Sequence, residues 1–269
     1  MITTPLGQVT DYPQEYSPDV LFAVPRSDAR QPFGLDGDLP FHGKDLWNAW
    51  EMTWLDGSGK PVVATATFAF DATSPNIVES KSLKLYLGSM AMSRFATDQA
   101  LVNTLRNDLA KFSGADVEVS LDRDTTAKMV KIVQLPGQCV DDLSISSNVA
   151  QVDSQLLSTG VDEVSEILHS HLLRSLCPVT AQPDIGSVVI KYFGPRIDPV
   201  SFLEYVVSYR QHQDFHEACV ERMFLDIKER CQPRSLTVYA RYTRRGGIDI
   251  NPFRSDGDDG PENLRTWRQ

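Results

Sequence analysis

The stretch LWNAWEMTWL-DGSGK-PVVATATFAF, residues 46–70, decides the fold class of this 269-residue chain. Residues 46–55 are aromatic and apolar, and residues 61–70 are β-branched and aromatic, compositions that favour strands. The intervening DGSG, residues 56–59, consists of turn formers. The stretch therefore predicts two strands joined by a tight turn. Downstream, apolar residues at helical spacing predict a helix over 101–112 that ends at Gly114, and residues 116–121 alternate like a strand.

The second half of the chain repeats this mixture of strands and helices. The pattern predicts a helix at 161–173, strands at 175–180 and 187–193, a helix that starts at Asp198 and Pro199, a helix at 215–231 and a strand at 235–242. We therefore expect an α+β protein of two modules, 1–150 and 151–269, with antiparallel sheets and helices on one face. Residues 1–40 predict an irregular arm, and the weakly periodic residues 135–160 predict a linker.

Composition excludes several classes of protein. Hydrophobic residues make up 41% and charged residues 23%, as in an ordinary globular protein. A net charge of −10 argues against a protein that coats nucleic acid. No apolar run is long enough for a membrane span, and the N-terminus has no secretory leader. The four cysteines contain no C-x-x-C pair, so we expect a reduced, cytoplasmic protein without a disulfide framework.

Cys177 is the strongest candidate nucleophile. It lies in SLCPVTAQPD, residues 175–184, where two prolines stiffen the backbone and Asp184 can fold back beside the thiol. A thiolate is a soft nucleophile that is partly ionised near neutrality. The alternative is a buried core cysteine. Cys219 and Cys231 fall on one face of a predicted helix, which favours burial in the core over a chemical role. Cys139 lies in the predicted linker, where no pattern indicates a function.

His212, His216 and Cys219 form an H-x-x-x-H-x-x-C pattern in a predicted helix. Positions three and four apart share a helix face, so the three residues could bind zinc, although a fourth ligand is missing and the spacing matches no strong motif. His216 and Glu217 could equally recognise a heterocycle through hydrogen bonds.

Two further segments could contact a ligand. In ESKSLKLY, residues 79–86, Glu79 could accept the paired donors of a purine-like edge while Lys81 and Lys84 meet phosphate; the alternative is a charged helix start. In RYTRRGG, residues 241–247, arginines and adjacent glycines could hold a phosphate, and the alternative is a solvated strand end. Neither a Rossmann G-x-G-x-x-G motif nor a Walker A loop is present.

Taken together, these segments resemble the QueF family, the NADPH-dependent 7-cyano-7-deazaguanine reductases, in its long, two-module form. The resemblance is carried by residues 79–86, by Cys177 with Gln182, Pro183 and Asp184, by FHEACVER at 215–222, and by YARYTRRGG at 239–247 with DINP at 249–252.

The resemblance implies two tandem tunnelling-fold modules, a homodimer, and reduction of a small precursor of a modified tRNA base with two NADPH, without contact with the polymer and without a metal. It implies that Cys177 attacks the nitrile carbon and that Asp184 supplies protons. The remaining expected contacts are to the deazaguanine from Val78, Glu79, Ser80, His216 and Glu217, and to NADPH from Ser80, Lys81, Arg245 and Gly246.

Two other functions stay open at this point. The first is a zinc-dependent, pterin-type cyclohydrolase of the same fold, which would use His212, His216 and a cysteine. The second is a module that binds a purine without catalysis.

Overall fold

A computed structural model describes residues 12–35, 37–123, 131–146, 151–258 and 260–269. The chain divides into two compact units. The first takes its described residues from the ranges 1–39, 45–130 and 244–249, and the second from 40–44, 131–243 and 250–269. The units are interleaved along the sequence, and the predicted module boundary at residue 150 stays a prediction. Within the described part of the chain, every helix is too short or too polar to cross a bilayer.

The first unit is built on the predicted strand pair. Its elements are β1 (Ala23–Pro25), α1 (Arg26–Arg30), β2 (His42–Leu55), β3 (Pro61–Asp71), β4 (Asn76–Val78), α2 (Ser80–Ser89), α3 (Asp98–Ser113) and β5 (Val117–Asp122), with the first three residues of β2 counted in the second unit. The strand order is β5-β3-β2, and β1 pairs antiparallel with β4 in a small separate sheet. The apolar face of α3 is fully buried, at Leu101, Leu105 and Leu109.

The second unit contains β6 (Gln138–Cys139), β7 (Thr159–Leu176), β8 (Pro183–Ile197), α4 (Pro199–Ser208), α5 (His216–Cys231), β9 (Ser235–Tyr242) and β10 (Ile248–Ser255), whose first two residues belong to the first unit. The strand order is β10-β9-β8-β7-β6. The pairs from β7 to β10 are antiparallel, whereas β6 lies parallel to β7, so the expectation of purely antiparallel sheets is wrong at this edge.

Three local predictions are wrong. Residues 161–173 form most of β7 and not a helix, because the segment pairs along almost its whole length with β8. The predicted strand at 175–180 ends at Leu176, where the chain turns. The predicted linker at 135–160 is packed: Leu135, Val140 and Leu157 are buried, although residues 147–150 lie outside the described residues.

The predicted arm is also more regular than expected, since β1 and α1 lie within it. Arg26 and Arg30 of α1 are buried, and Arg26 pairs with Asp45 at 2.6 Å. A buried guanidinium needs such partners, and they order the segment. Residues 1–11 and 36 of the arm lie outside the described residues.

Candidate active site

Cys177 lies directly after β7, in the turn that leads to β8. Its backbone N–H donates to Gln182 O at 2.9 Å, and its carbonyl accepts from Ala181 N at 3.0 Å. Ala181 adopts a positive φ of 54°, which is costly for a residue other than glycine and persists only where the surroundings fix it. The Cys177 side chain is buried. The turn therefore holds the thiol in one defined place at the end of the hairpin.

Asp184 lies on the opposite strand of the same hairpin. The register pairs Asp184 with Ser175, which is two residues before Cys177. Ser175 is the penultimate residue of β7 and Cys177 follows the strand, so the register places Asp184 at the end of the hairpin that leads into the turn of Cys177. Asp184 is only 4% exposed. That Asp184 folds back beside the Cys177 thiol stays a prediction.

His216 is the first residue of α5, and its Nε2 lies 3.7 Å from Asp184 Oδ1. Its ring meets the ring of Tyr242 edge-on, with centroids 4.0 Å apart. The next residue, Glu217, is buried in the first turn of α5, where the helix dipole favours a negative charge. The predicted residues Asp184, His216 and Glu217 thus meet at one end of the second unit.

The other cysteines have different environments from Cys177. All four are free thiols. Burial raises the pKa of the Cys219 thiol well above its ordinary value and that of Cys231 to about 11. Both are therefore neutral core thiols, as their helical stripe predicted, while Cys139 is exposed.

No local sequence pattern singles out Ser175 and Tyr242 as neighbours of this site. Both lie beside the Cys219 thiol, and burial raises the pKa of the Tyr242 phenol well above its ordinary value. Tyr242 also supports the His216 ring. These contacts depend on β7, β9 and α5 being neighbours, which no local pattern indicates.

In the first unit, the ligand-binding candidates Val78 to Lys81 lie where β4 ends at Val78 and α2 begins at Ser80. Glu79 caps the helix: its carboxylate accepts from Lys81 N and Ser82 N, both at 2.8 Å. The alternative of a charged helix start is therefore confirmed for Glu79. Each carboxylate oxygen has a further lone pair, so capping is compatible with a second, ligand-binding role. Val78 is buried, while Ser80 and Lys81 are partly exposed.

The glycines of RYTRRGG form a tight turn in the same unit. Arg245 N donates to Ile248 O at 2.9 Å, and Gly246 and Gly247 have φ of +58° and +76°. Two positive φ angles are typical of a type I′ turn. A Cβ at Gly246 would lie 3.1 Å from Lys84 Cδ, so the turn lies against α2. The Lys84 side chain therefore lies against the Gly246 backbone, and the Arg244 guanidinium lies 5.7 Å from the Trp50 ring centroid.

The zinc alternative fails within the described residues, because His212, His216 and Cys219 do not bring three ligand atoms within 4.8 Å of one another. The helix begins at His216, so His212 lies before it in extended conformation. The Nε2 atom of His212 lies 3.7 Å from Oδ2 of Asp214. The spacing argument assumed one continuous helix.

Comparisons with known proteins give consistent matches. Residues 12–121 match the family model described as nitrile reductase, 7-cyano-7-deazaguanine-reductase N-term, and residues 183–260 match the model described as QueF-like protein. A Burkholderia ambifaria protein named NADPH-dependent 7-cyano-7-deazaguanine reductase is 51% identical over 269 residues, which is 99% of this chain and 98% of the relative. A Chromohalobacter salexigens protein of the same name is 50% identical over 98% of this chain and 96% of its own.

A further match is a solved structure titled as the crystal structure of the archaeosine synthase QueF-Like in the apo form. The match covers 37% of this chain and 97% of the chain in that structure. It has 20% identity and a TM-score of 0.32, a similarity too low to inform the fold.

Proposed function

Since this chain belongs to the family of NADPH-dependent 7-cyano-7-deazaguanine reductases, we propose that Cys177 and Asp184 carry the nitrile chemistry of its reaction. The enzyme reduces 7-cyano-7-deazaguanine to its aminomethyl product in queuosine biosynthesis, with NADPH as reductant. In balance, one nitrile, two NADPH and two protons give one primary amine and two NADP⁺. The observation that supports the residue assignment is the β7–β8 register, which pairs Asp184 with Ser175, two residues before Cys177.

Cys177 adds to the nitrile carbon. The new C–S bond forms as one C–N π bond breaks, and the nitrogen takes a proton, which gives a thioimide. A nitrile is a weak electrophile, and a covalent intermediate divides one difficult step into two easier ones. Two backbone hydrogen bonds hold the turn that carries Cys177. The Cys177 sulfur leaves again before the amine is complete, so the enzyme is regenerated.

Asp184 holds the proton that the nitrile nitrogen receives. A buried carboxyl can deliver a proton without competition from solvent. His216 lies within 3.7 Å of the same carboxyl and is itself held by Tyr242, so it positions Asp184 and can pass protons to it. Burial of Cys177 and Asp184 also keeps water from the thioimide, which would otherwise hydrolyse.

Carboxylates are the groups suited to the guanine-like edge of the substrate, since they only accept and that edge presents neighbouring N–H donors. Glu217 and Glu79 are both buried, at 3% and 1% exposure. We assign them, with Val78, Ser80 and His216, to the substrate. Desolvated acceptors of this kind reject analogues without the matching donors.

The residues of the first unit fit a phosphate-bearing cofactor. The Gly246–Gly247 turn has no side chain of its own, and Lys84, Lys81 and Arg245 belong to the elements around it. Arginine and lysine donors suit phosphates. When bound, NADPH supplies the hydride, and these residues with Ser80 would orient it.

Three further features of the family, namely its fold, its oligomeric state and its location, are proposed with this function. Each module would adopt the tunnelling fold, the chain would form a homodimer, and the enzyme would work in the cytoplasm on a small molecule, with no nucleic-acid partner. The mixture of α-helices and antiparallel strands in both units supports the first of these.

The proposal is tested by following NADPH oxidation with 7-cyano-7-deazaguanine for the wild type, Cys177→Ala and the matched control Cys231→Ala. We expect two NADPH oxidised per nitrile in the wild type and the control, and no turnover in Cys177→Ala. Turnover near the wild-type rate in Cys177→Ala would remove the covalent mechanism.

A further inference from the structure

A second group of chemically active side chains lies at the edge of the second unit, where β6 pairs with β7. Cys139 stands opposite His169 in the register, and His171 follows two residues later on β7. One ligand atom from each of Cys139, His169 and His171 lies within 4.8 Å of the other two. None of the three is used by the proposed reaction.

The distances between these three ligand atoms are close to those between the ligands of a bound transition metal. Zinc bonds of about 2.1 Å to nitrogen and 2.3 Å to sulfur place tetrahedral ligand atoms about 3.3 to 3.7 Å apart. The side chains therefore need to approach one another by only about 1 Å, a movement within their rotational freedom. The rings of His169 and His171 already lie edge to face, with centroids 5.3 Å apart.

Both imidazoles are oriented by hydrogen bonds of the kind that supports metal ligands. His169 Nδ1 lies 2.9 Å from Pro136 O. A carbonyl only accepts, so Nδ1 carries the proton and Nε2 keeps its lone pair. His171 Nδ1 lies 2.8 Å from Ser187 Oγ. Fixed tautomers and ring positions lower the cost of assembling a site.

The backbone of β6 is fixed as well. Gly137 has a φ of +81°, and a Cβ there would lie 2.1 Å from Ile167 O. Only glycine allows this close approach, which brings the following residues against β7. Val140 N then donates to His169 O at 3.0 Å. Cys139 is held between these two anchors, although it is exposed.

The charges around the cluster are mixed. Asp141 accepts from Ser170 Oγ at 2.7 Å and from His171 N at 3.0 Å, and its carboxylate lies beside the Cys139 thiol. Arg268 donates to Gly186 O at 3.0 Å and lies near His171. The Asp141 carboxylate offsets the Arg268 guanidinium, so the charges around the cluster do not oppose a divalent cation.

The geometry points to a Zn²⁺-type site in which Cys139 Sγ and one nitrogen each of His169 and His171 bind a divalent transition metal, with solvent as the fourth ligand. Two imidazoles and a thiolate select a borderline-soft ion such as Zn²⁺ or Co²⁺ over Mg²⁺. Because His169 and His171 belong to β7 and Cys139 to β6, the ion would tie the short edge strand to the sheet. This role is structural and separate from nitrile reduction.

The test is titration of the full-length, tag-free, chelator-treated protein with Co²⁺. We expect one Co²⁺ per chain, with a thiolate-to-cobalt charge-transfer band that Zn²⁺ abolishes by displacement. Cys139→Ser should lose the band, and His169→Ala should weaken Co²⁺ binding at least tenfold. The matched controls are Cys231→Ala, for loss of a cysteine, and His42→Ala, for loss of a histidine outside the cluster, and both should bind as the wild type does.

A second measurement does not depend on spectroscopy. Zn²⁺ should slow alkylation of Cys139, measured on the Cys139 peptide by mass spectrometry, and should leave the alkylation rates of the other cysteine peptides unchanged. The inference is overturned if Co²⁺ binds without the band, if the band persists in Cys139→Ser, or if Zn²⁺ leaves alkylation of Cys139 unchanged.

Discussion

The proton-donor role of Asp184 makes the most specific kinetic prediction. Asp184→Asn keeps the size of the side chain, so neither a cavity nor a steric clash arises at this buried position. The amide cannot donate an acidic proton to the nitrile nitrogen. General acid catalysis contributes about 10²- to 10⁴-fold, which corresponds to a barrier higher by about 3 to 5 kcal/mol. With only 4% exposure, solvent has little access to replace the lost donor.

The assay is formation of the thioimide in a single turnover without NADPH, followed by rapid quench and intact-mass analysis. We expect the rate of adduct formation to fall by about 10²- to 10⁴-fold, with substrate affinity changed much less. Asp198→Asn is the matched control, because Asp198 is an exposed helix cap in the same unit and asparagine caps equally well. Adduct formation at the wild-type rate in Asp184→Asn would refute the assignment.

Three further predictions concern the cofactor, the helix cap and alkaline stability. Arg245→Ala should raise the KM for NADPH at least fivefold with little change in the KM for the nitrile, measured by steady-state kinetics against Arg230→Ala; the reverse pattern would reassign the turn. Glu79→Gln should lower the free energy of unfolding by about 1 to 3 kcal/mol, measured in urea, and should also raise the KM for the nitrile; a capping role alone would leave that KM unchanged. Burial raises the pKa of the Cys231 thiol from 9.0 to about 11, so the pKa in the folded state exceeds that in the unfolded state. The stabilisation that the neutral thiol contributes to the folded state is therefore complete below pH 9 and is lost as the pH rises to about 11. The free energy of unfolding over this window should therefore fall less in Cys231→Ala than in the wild type, by at most about 3 kcal/mol, and equal slopes would contradict the assignment.

Features that depend on local chemistry were predictable from the sequence. The segment 46–70 has an aromatic and apolar run, a turn, and a β-branched and aromatic run, and its two runs lie in β2 and β3. Gly114 ends α3, and Asp198 caps α4 by accepting a hydrogen bond from Val200 N, as their residue types predicted. The roles of Cys177 and Asp184 stay predictions, although the hairpin that joins these two residues is local in sequence.

Features that depend on distant pairing were not predictable. The apolar residues of 161–173 fit a helical spacing as well as they fit a strand, and pairing with β8 decides the outcome. The helix prediction also concealed the relation of His169 to His171. Residues two apart do not face each other on a helix, but they share a face on a strand. Their approach to Cys139 further requires the parallel β6–β7 register, for which the sequence has no local signal.

The most direct test of the central claim is intact mass spectrometry of the enzyme mixed with 7-cyano-7-deazaguanine, first without NADPH and then with it. The account predicts one covalent adduct per chain, located on Cys177 by peptide mapping, that disappears when NADPH is added. An adduct on another cysteine, an adduct that persists in Cys177→Ala, or nitrile reduction without any adduct would contradict it.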